Sequence, residues 1–305
     1  MNKVTLKNSL LLFLTALIWG SAFVTQAMGG ESMGAFTFTA ARSLLGGIVL
    51  IPVILFRRAR EKEKQPIPWR ITLIGGVCCG LALTAAALFQ QFGIMGTTVG
   101  KSGFITALYI IFTPILGIAI GRKAPPVVWI AALIAVAGMY LLCIDGSLSI
   151  GTGDLLVLIC SVLFAVHILV IDRFSPLADG VMLSCIQFFT CAVVSGVLAL
   201  IFEEPSLGQV CDGAIPILYA GILSSGVGYT LQIVGQKGMN PTAAALILSL
   251  ESVISTIAGY LAYKIGFLTT DQTMTARQIA GCVVVFAAVV LVQVPIPRRR
   301  KEREG

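Results

Sequence analysis

Three ionisable side chains lie inside long apolar stretches of the sequence, where a charge is costly. They are Arg42, His167 and Glu251, and Lys101 stands at the edge of a fourth stretch. A charged side chain at the centre of a bilayer costs about 2.5–3.5 kcal/mol on insertion scales unless it faces protein or water. Such residues can pair charges, bind a charged group or carry a proton, so they are the first candidates for a functional site.

Glu251 is the most informative of these residues. The stretch 239–263 is long enough to cross a bilayer, and on a helix Ala244, Ser255 and Gly259 share one side with Glu251. Because small residues let other helices approach closely, we expect the carboxylate to point into the protein. Two interpretations are open: a coupling residue that carries protons, and a structural carboxylate bonded to neighbouring helix ends.

The basic residues and the single histidine also have two interpretations each. Arg42 and Lys101 lie towards one side of the predicted membrane, where they could attract an anionic group such as a carboxylate. Alternatively, Arg42 is an intraprotein anchor, with Glu31 as one partner, and the long side chain of Lys101 reaches the interface. His167 is a candidate proton relay or ligand group, or else a packing residue.

Uncharged polar residues form a second set of candidates. Ser225, Tyr229, Gln232 and Gln236 follow one another at spacings of four, three and four, which on an α-helix gives a polar stripe along one face. We expect this stripe to line a cavity; the alternative is hydrogen bonding between helices. The substrate-binding or cavity candidates are Trp19, Arg42, Gln90, Gln91, Lys101, Tyr109, His167, Gln187, Tyr229, Gln232 and Gln236, and Glu251 is the coupling candidate.

Membrane-spanning helices must position these residues. The chain has 305 residues, of which 57% are hydrophobic and 11% charged, and this composition excludes an ordinary soluble domain. Charge-free runs of spanning length occupy 8–30, 71–100, 102–121, 124–144, 180–202, 213–236 and 278–297. Three more spans, 35–56, 153–171 and 241–263, contain Arg42, His167 and Glu251. We therefore predict an all-α integral membrane protein with ten transmembrane helices, the first of them uncleaved.

The distribution of charge predicts the orientation and the partners. With both termini in the cytoplasm, Lys264 and Arg277 are the only basic residues in the external loops, as the positive-inside rule requires. We expect a multi-pass protein of the cytoplasmic (plasma) membrane, a monomer or weak homodimer, with the lipid bilayer and a small-molecule substrate as partners. The basic tail at 295–305 is predicted to set topology and contact anionic lipids, not nucleic acid.

No cofactor or metal site is predicted. The sequence has one histidine and no Cys-x-x-Cys, so it offers no recognisable ligand spacing for a metal. It also lacks the Gly-x-x-x-x-Gly-Lys-[Ser/Thr] loop with which many ATPases hold phosphates. Energy for any movement of solute is therefore expected from a solute or proton gradient.

The two halves of the chain resemble each other. A shift of 145 residues pairs Trp19 with Phe164, Ala22 with His167 and Arg42 with Gln187, and a shift of 142 pairs Gln90 with Gln232, Leu108 with Leu250 and Tyr109 with Glu251. Because five is an odd number, a second set of five helices enters the membrane from the opposite side. We predict two inverted five-helix repeats, 9–144 and 152–294, around a shared cavity, followed by the cytoplasmic tail 295–305.

Four motifs carry a resemblance to a known family. They are Trp-Gly-Ser-Ala-Phe at 19–23, Phe-Thr-Ala-Ala-Arg at 38–42, Thr-Thr-Val-Gly-Lys-Ser-Gly-Phe-Ile-Thr-Ala-Leu-Tyr at 97–109 and Asn-Pro-Thr-Ala-Ala-Ala-Leu-Ile-Leu-Ser-Leu-Glu at 240–251. With them the chain resembles the EamA-type members of the drug/metabolite transporter superfamily, as two consecutive repeats. The resemblance implies ten helices, cytoplasmic termini and movement of small metabolites or xenobiotics, often export.

These observations together predict a secondary transporter and not an enzyme. We expect it to move a small metabolite or drug-like solute across the cytoplasmic membrane by alternating access. An amino acid or related compound is one candidate, and export is the favoured direction. The alternatives are a passive channel and, less favoured, a membrane-embedded lipid-modifying enzyme, because the sequence lacks the clustered Asp and His residues that such chemistry uses.

Overall fold

A computed structural model describes residues 3–60, 67–121, 126–143, 150–239 and 241–291, and the predicted tail at 295–305 lies outside them. The described residues form helices and turns and contain no strand. The first half consists of α1 (Lys3–Ser32), α2 (Ala35–Arg60), α3 (Trp69–Ile94), α4 (Val99–Thr106), α5 (Tyr109–Gly117), a 3-10 turn (Ile118–Ile120) and α6 (Pro126–Cys143). The second half consists of α7 (Thr152–Phe174), α8 (Gly180–Phe202), α9 (Leu207–Asp212), α10 (Ala214–Leu218), a π-helical segment (Tyr219–Tyr229), α11 (Thr230–Gln236), α12 (Pro241–Ser249), α13 (Glu251–Lys264) and α14 (Ala276–Leu291).

Seven helices in the described residues are long and apolar enough to cross a membrane. They are Leu6–Ser32, Ala35–Arg60, Trp69–Ile94, Val99–Ile120, Thr152–Phe174, Gly180–Phe202 and Ala214–Gln236. The predicted fifth and tenth helices correspond to shorter apolar stretches in α6 and α14, and the predicted ninth is divided into α12 and α13. The all-helical membrane class is therefore supported, whereas the count of ten stays a prediction.

Two of the spans are broken in mid-helix. Residues Ala107 and Leu108 separate α4 from α5, and Leu250 separates α12 from α13. At both breaks the backbone tightens to bonds between residues three apart, from Leu108 N to Ile105 O (3.2 Å) and from Leu250 N to Ile247 O (3.3 Å). The proline of the first of these spans, Pro114, lies inside α5, so the break comes before the proline and not at it.

The largest helix contacts join one half of the chain to the other. They pair α2 with α8, α3 with α7, α6 with α14, α3 with α8, α1 with α13, α2 with the π-helical segment and α4 with α13. Small residues permit these close crossings: a Cβ added at Gly103 of α4 would lie 2.9 Å from Ser255 Cβ of α13. The two halves therefore share one core and do not fold as separate bundles.

The bundle has two chemically different ends. At one end, named here the Lys237 end, Asn8 of α1 donates to Lys237 O (3.1 Å) and Arg57 of α2 pairs with Asp179 (3.1 Å). At the other, the Asp154 end, α7 begins near Lys101. There the Glu203 carboxylate also accepts hydrogen bonds from the first backbone N–H groups of α2. A path across the bundle would connect these two ends.

Candidate functional site

A small cavity lies in the middle of the bundle, beside both broken helices. Its lining residues are Trp19, Ala22, Phe23, Gln26, Arg42, Gln90, Thr106, Tyr109, Phe164, Ser224, Tyr229 and Glu251. The space in which the centre of a water molecule fits is about 20 Å³, which is room for about one water. The cavity is therefore nearly closed in this conformation, and a larger solute needs the helices to separate.

The breaks in the helices place an acid and a phenol beside each other in the lining of the cavity. Tyr109 is the first residue of α5 and Glu251 the first residue of α13, and both are almost fully buried. The Tyr109 hydroxyl lies near enough to interact with the Glu251 carboxylate, yet it makes no hydrogen bond of normal geometry. A broken helix is a common way to present polar groups at membrane depth, because the interrupted backbone must face protein or a cavity.

Arg42 brings a positive charge into the same cavity. The residue is 3% exposed, its guanidinium carbon lies 5.7 Å from the centre of the Phe38 ring, and its Nε has no hydrogen-bond partner. In the described part of the chain, no salt bridge joins Arg42 to Glu251 or to any other acid. Glu31, one expected anchor, instead accepts a hydrogen bond from Thr269 (2.9 Å). The cavity thus contains one basic and one acidic side chain that are not paired with each other.

Aromatic side chains form one wall of the cavity. The Trp19 and Tyr229 rings lie 4.4 Å apart, and the Trp19 indole nitrogen donates to Ser224 O (3.4 Å). Gly228 makes this approach possible, because a Cβ at that position would lie 2.7 Å from the indole nitrogen. Phe188 supports Tyr229 from behind, with ring centres 5.4 Å apart. The Trp19 and Tyr229 rings are tilted by 51° to each other, and they give this wall an apolar surface with polar edges.

Three polar residues of the lining, Gln26, Thr106 and Ser224, were not predicted. Gln26 follows Trp19 by seven residues, two helical turns, and this spacing could have indicated it. Thr106 accepts a hydrogen bond from Gln90 (3.2 Å). Ser224 precedes Tyr229 by five residues, which share a face on a π-helix but not on an α-helix. The π-helical segment therefore hid Ser224 from α-helical periodicity.

Half of the predicted site residues line this cavity, and half do not. The cavity brings together Trp19, Arg42, Gln90, Tyr109, Tyr229 and Glu251. Gln91 donates to Gln26 O (2.9 Å), between α3 and α1. Four others, His167, Gln187, Gln232 and Gln236, are buried beyond Tyr229 towards the Lys237 end. The predicted stripe is divided because only Tyr229, at the end of the π-helical segment, reaches the cavity.

Lys101 belongs to a second, larger cavity at the Asp154 end. Its Nζ lies 3.4 Å from Asp154 Oδ2, and Thr97 donates a hydrogen bond to the same carboxylate. The space in which the centre of a water molecule fits is about 670 Å³ in this cavity. Lys101 and Asp154 come from opposite halves of the chain, so their ion pair joins the halves at this end. In the described residues no group of three or more His, Cys, Asp or Glu is arranged to hold a metal ion.

Comparison with known proteins identifies the family. The family model of EamA-like transporters matches residues 6–144 and matches again over residues 151–294. The chain belongs to the EamA-like transporter family. A solved crystal structure has the same fold, with a TM-score of 0.66 and 19% sequence identity over 94% of this chain and 98% of that one.

Three curated relatives of this EamA-like chain are named as transporters whose functions are uncharacterized. One from Archaeoglobus fulgidus is 26% identical, covering 93% of this chain and 85% of the relative. YwfM of Bacillus subtilis is 25% identical over 97% of both chains, and YedA of Escherichia coli, named an inner membrane transporter, is 24% identical over 81% and 80%. The family, these relatives and the seven apolar helices support a multi-pass membrane transporter.

Proposed function

We propose that this EamA-like protein is a secondary transporter that moves a small zwitterionic metabolite of the amino-acid type by alternating access. The observation that carries the proposal is that a basic residue, Arg42, and an acidic residue, Glu251, line one central cavity without pairing with each other. An α-carboxylate would bind the Arg42 guanidinium, and an α-ammonium would bind the Glu251 carboxylate. The Trp19 and Tyr229 rings would pack against the side chain of the solute.

Two inverted repeats, 9–144 and 152–294, would supply the moving parts. If the two halves are exchanged, α1 corresponds to α7, α2 to α8, α3 to α11 with the segments before it, α5 to α13 and α6 to α14. The observed contacts then correspond in pairs: α3 with α7 becomes α11 with α1, and α1 with α13 becomes α7 with α5. The two breaks also correspond in this comparison, because Leu108 and Leu250 are 142 residues apart, which is the shift that aligns the two halves here. This internal symmetry favours ten spans and two closely related conformations, each open to one side.

The direction and energetics follow from charge. We place the Lys237 end and both termini in the cytoplasm, since the described basic residues concentrate at that end. Export is the direction that the family resemblance favours. Glu251 is the residue that would couple transport to protons, because protonation removes its attraction for the solute ammonium. A closed cavity with room for about one water also favours a carrier over an open channel.

Counterflow in proteoliposomes tests the proposal. Proteoliposomes that contain the purified protein are loaded with each unlabelled L-amino acid in turn, and uptake of the same amino acid in labelled form is followed. The best substrate is then compared with its amino alcohol, which lacks the carboxylate, and with its deaminated acid, which lacks the ammonium. We expect the zwitterion to be preferred over both by at least about tenfold, since each charged hydrogen bond contributes about 1.5–3 kcal/mol.

Matched variants assign each charge to one end of the solute. Arg42→Gln should reduce the preference over the amino alcohol, and Glu251→Gln should reduce the preference over the deaminated acid. Lys264→Gln is the control. Lys264 lies on the same helix as Glu251, but its side chain packs against Tyr260 and does not line the cavity. Equal loss of both preferences in all three variants, or no counterflow with any of these solutes, would overturn the proposal.

A further inference from the structure

Four buried polar residues lie between the central cavity and the Lys237 end. His167, Gln187, Gln232 and Gln236, named here the inner polar cluster, are each 0–1% exposed. His167 Nε2 lies 3.1 Å from Gln187 Oε1, and Gln236 Nε2 donates to Ile168 O (2.9 Å), next to His167. Gln232 precedes Gln236 by one turn of α11. The cluster therefore draws its side chains from α7, α8 and α11, and the two hydrogen-bond contacts connect α7 to α8 and α7 to α11.

Each residue of the cluster has one buried polar atom without a partner. These atoms are His167 Nδ1, Gln187 Nε2, Gln232 Oε1 and Gln236 Oε1. Because an amide oxygen can only accept, His167 Nε2 must donate to Gln187 Oε1 when the imidazole is neutral. His167 Nδ1 is then an acceptor. The four free positions are thus three acceptors and one donor.

Four such atoms in one place are unusual in a folded protein. Roughly nine in ten or more of buried polar groups have a hydrogen-bond partner, and leaving one without a partner costs free energy. The atoms are also contributed by three different helices, so a single side-chain rotation cannot pair them all. A polar guest between these helices, water or solute, would satisfy them in a conformation that opens this end.

Tyr229 separates the inner polar cluster from the central cavity. Its ring lies 4.4 Å from Trp19 on the cavity side and 6.0 Å from His167 on the cluster side. Phe164, a second lining residue, is 6.4 Å from His167. Tyr229 and Phe164 therefore line the central cavity and also approach His167 of the inner polar cluster.

We propose that the inner polar cluster is a second solute subsite, on the path between the central cavity and the Lys237 end. It takes hydroxyl, ammonium or other N–H groups, because its free atoms are mainly acceptors and it has no cation to bind a carboxylate. Tyr229 is the side chain that must move for solute to pass between the two sites. This inference rests on the proposed transport function. It adds a second binding site to the one that contains Arg42 and Glu251.

Thiol accessibility tests whether the cluster opens to the Lys237 end. Gln232→Cys is made in a protein whose eight native cysteines are replaced, and it is exposed to 2-(trimethylammonium)ethyl methanethiosulfonate in inside-out and right-side-out membrane vesicles. We expect modification at least tenfold faster from the Lys237 end. The control is Ser195→Cys, which is equally buried and lies on α8 about two turns beyond Gln187 of the cluster, and it should stay protected from both sides.

The single histidine provides an independent measurement. Protein labelled with 15N-histidine and purified with a histidine-free tag gives one imidazole signal, and we expect the Nε2–H tautomer with an unprotonated Nδ1. The opposite tautomer would overturn the acceptor assignment. Protection of Gln232→Cys from both sides, with normal counterflow, would overturn the subsite alone. Failure of counterflow with every solute would overturn the proposed function, whatever the labelling shows.

Discussion

The ion pair between Lys101 and Asp154 allows a quantitative test of how the two halves hold together at the Asp154 end. Lys101 lies on α4 and Asp154 in the first turn of α7, with 3.4 Å between Nζ and Oδ2 and side chains only 12% and 4% exposed. The perturbations are Asp154→Asn, Lys101→Met and the double variant. Each single change removes one charge and leaves the other largely buried.

The structure sets the expected magnitudes. At 3.4 Å and an effective dielectric constant of 20, the attraction is about 5 kcal/mol, and desolvation of the two groups offsets part of it. Asp154→Asn should cost about 3 kcal/mol, because it leaves a buried ammonium. Lys101→Met should cost about 2 kcal/mol, since the bond from Thr97 and the N-terminus of α7 still stabilise the carboxylate. The double variant should cost about 3 kcal/mol, which is a coupling of about 2 kcal/mol.

Thermal unfolding of the purified protein in detergent measures this coupling. About 2 °C per kcal/mol is expected for a chain of this size, so the melting temperature should fall by roughly 6, 4 and 6 °C in the three variants. Arg57 and Asp179 provide the matched cycle, because their pair is as close (3.1 Å) but 46% and 37% exposed, and its coupling should stay below about 1 kcal/mol. Additive effects at Lys101 and Asp154, or equal coupling in both pairs, would refute the reasoning.

Two further predictions concern the helix contacts. Glu203→Gln should lower stability by about 1–2 kcal/mol in chemical denaturation, because the carboxylate accepts from two backbone N–H groups and a hydroxyl at the start of α2, whereas exposed Glu204→Gln should change it by less than about 0.5 kcal/mol. Gly103→Ala should cost about 1–3 kcal/mol, since its Cβ would lie 2.9 Å from Ser255 Cβ. Gly196→Ala, which meets only one methyl group at 4.0 Å, should be neutral or stabilising; equal effects at the two glycines would contradict the close crossing.

The sequence by itself determined the class of the protein and much of its central site. Charge-free runs of about 20 residues require helices in a membrane, because no water is available there to bond an exposed backbone. The cost of an isolated charge at that depth also explains why Arg42 and Glu251 could be predicted to point inwards. The shift that pairs Leu108 with Leu250 likewise pairs the two helix breaks, although no local pattern marks either break.

Only the tertiary structure decided which polar residues meet. The π-helical segment changes the residues that share a face, so Ser224 reaches the cavity while Gln232 and Gln236 lie beyond Tyr229. Helix periodicity assumes 3.6 residues per turn and cannot anticipate this change. Helix periodicity also gives no information about partners on other helices. The ion pair between Lys101 of α4 and Asp154 of α7 therefore became visible only in the tertiary structure. A sequence specifies which groups are costly to bury, and packing of the helices decides which other groups offset that cost.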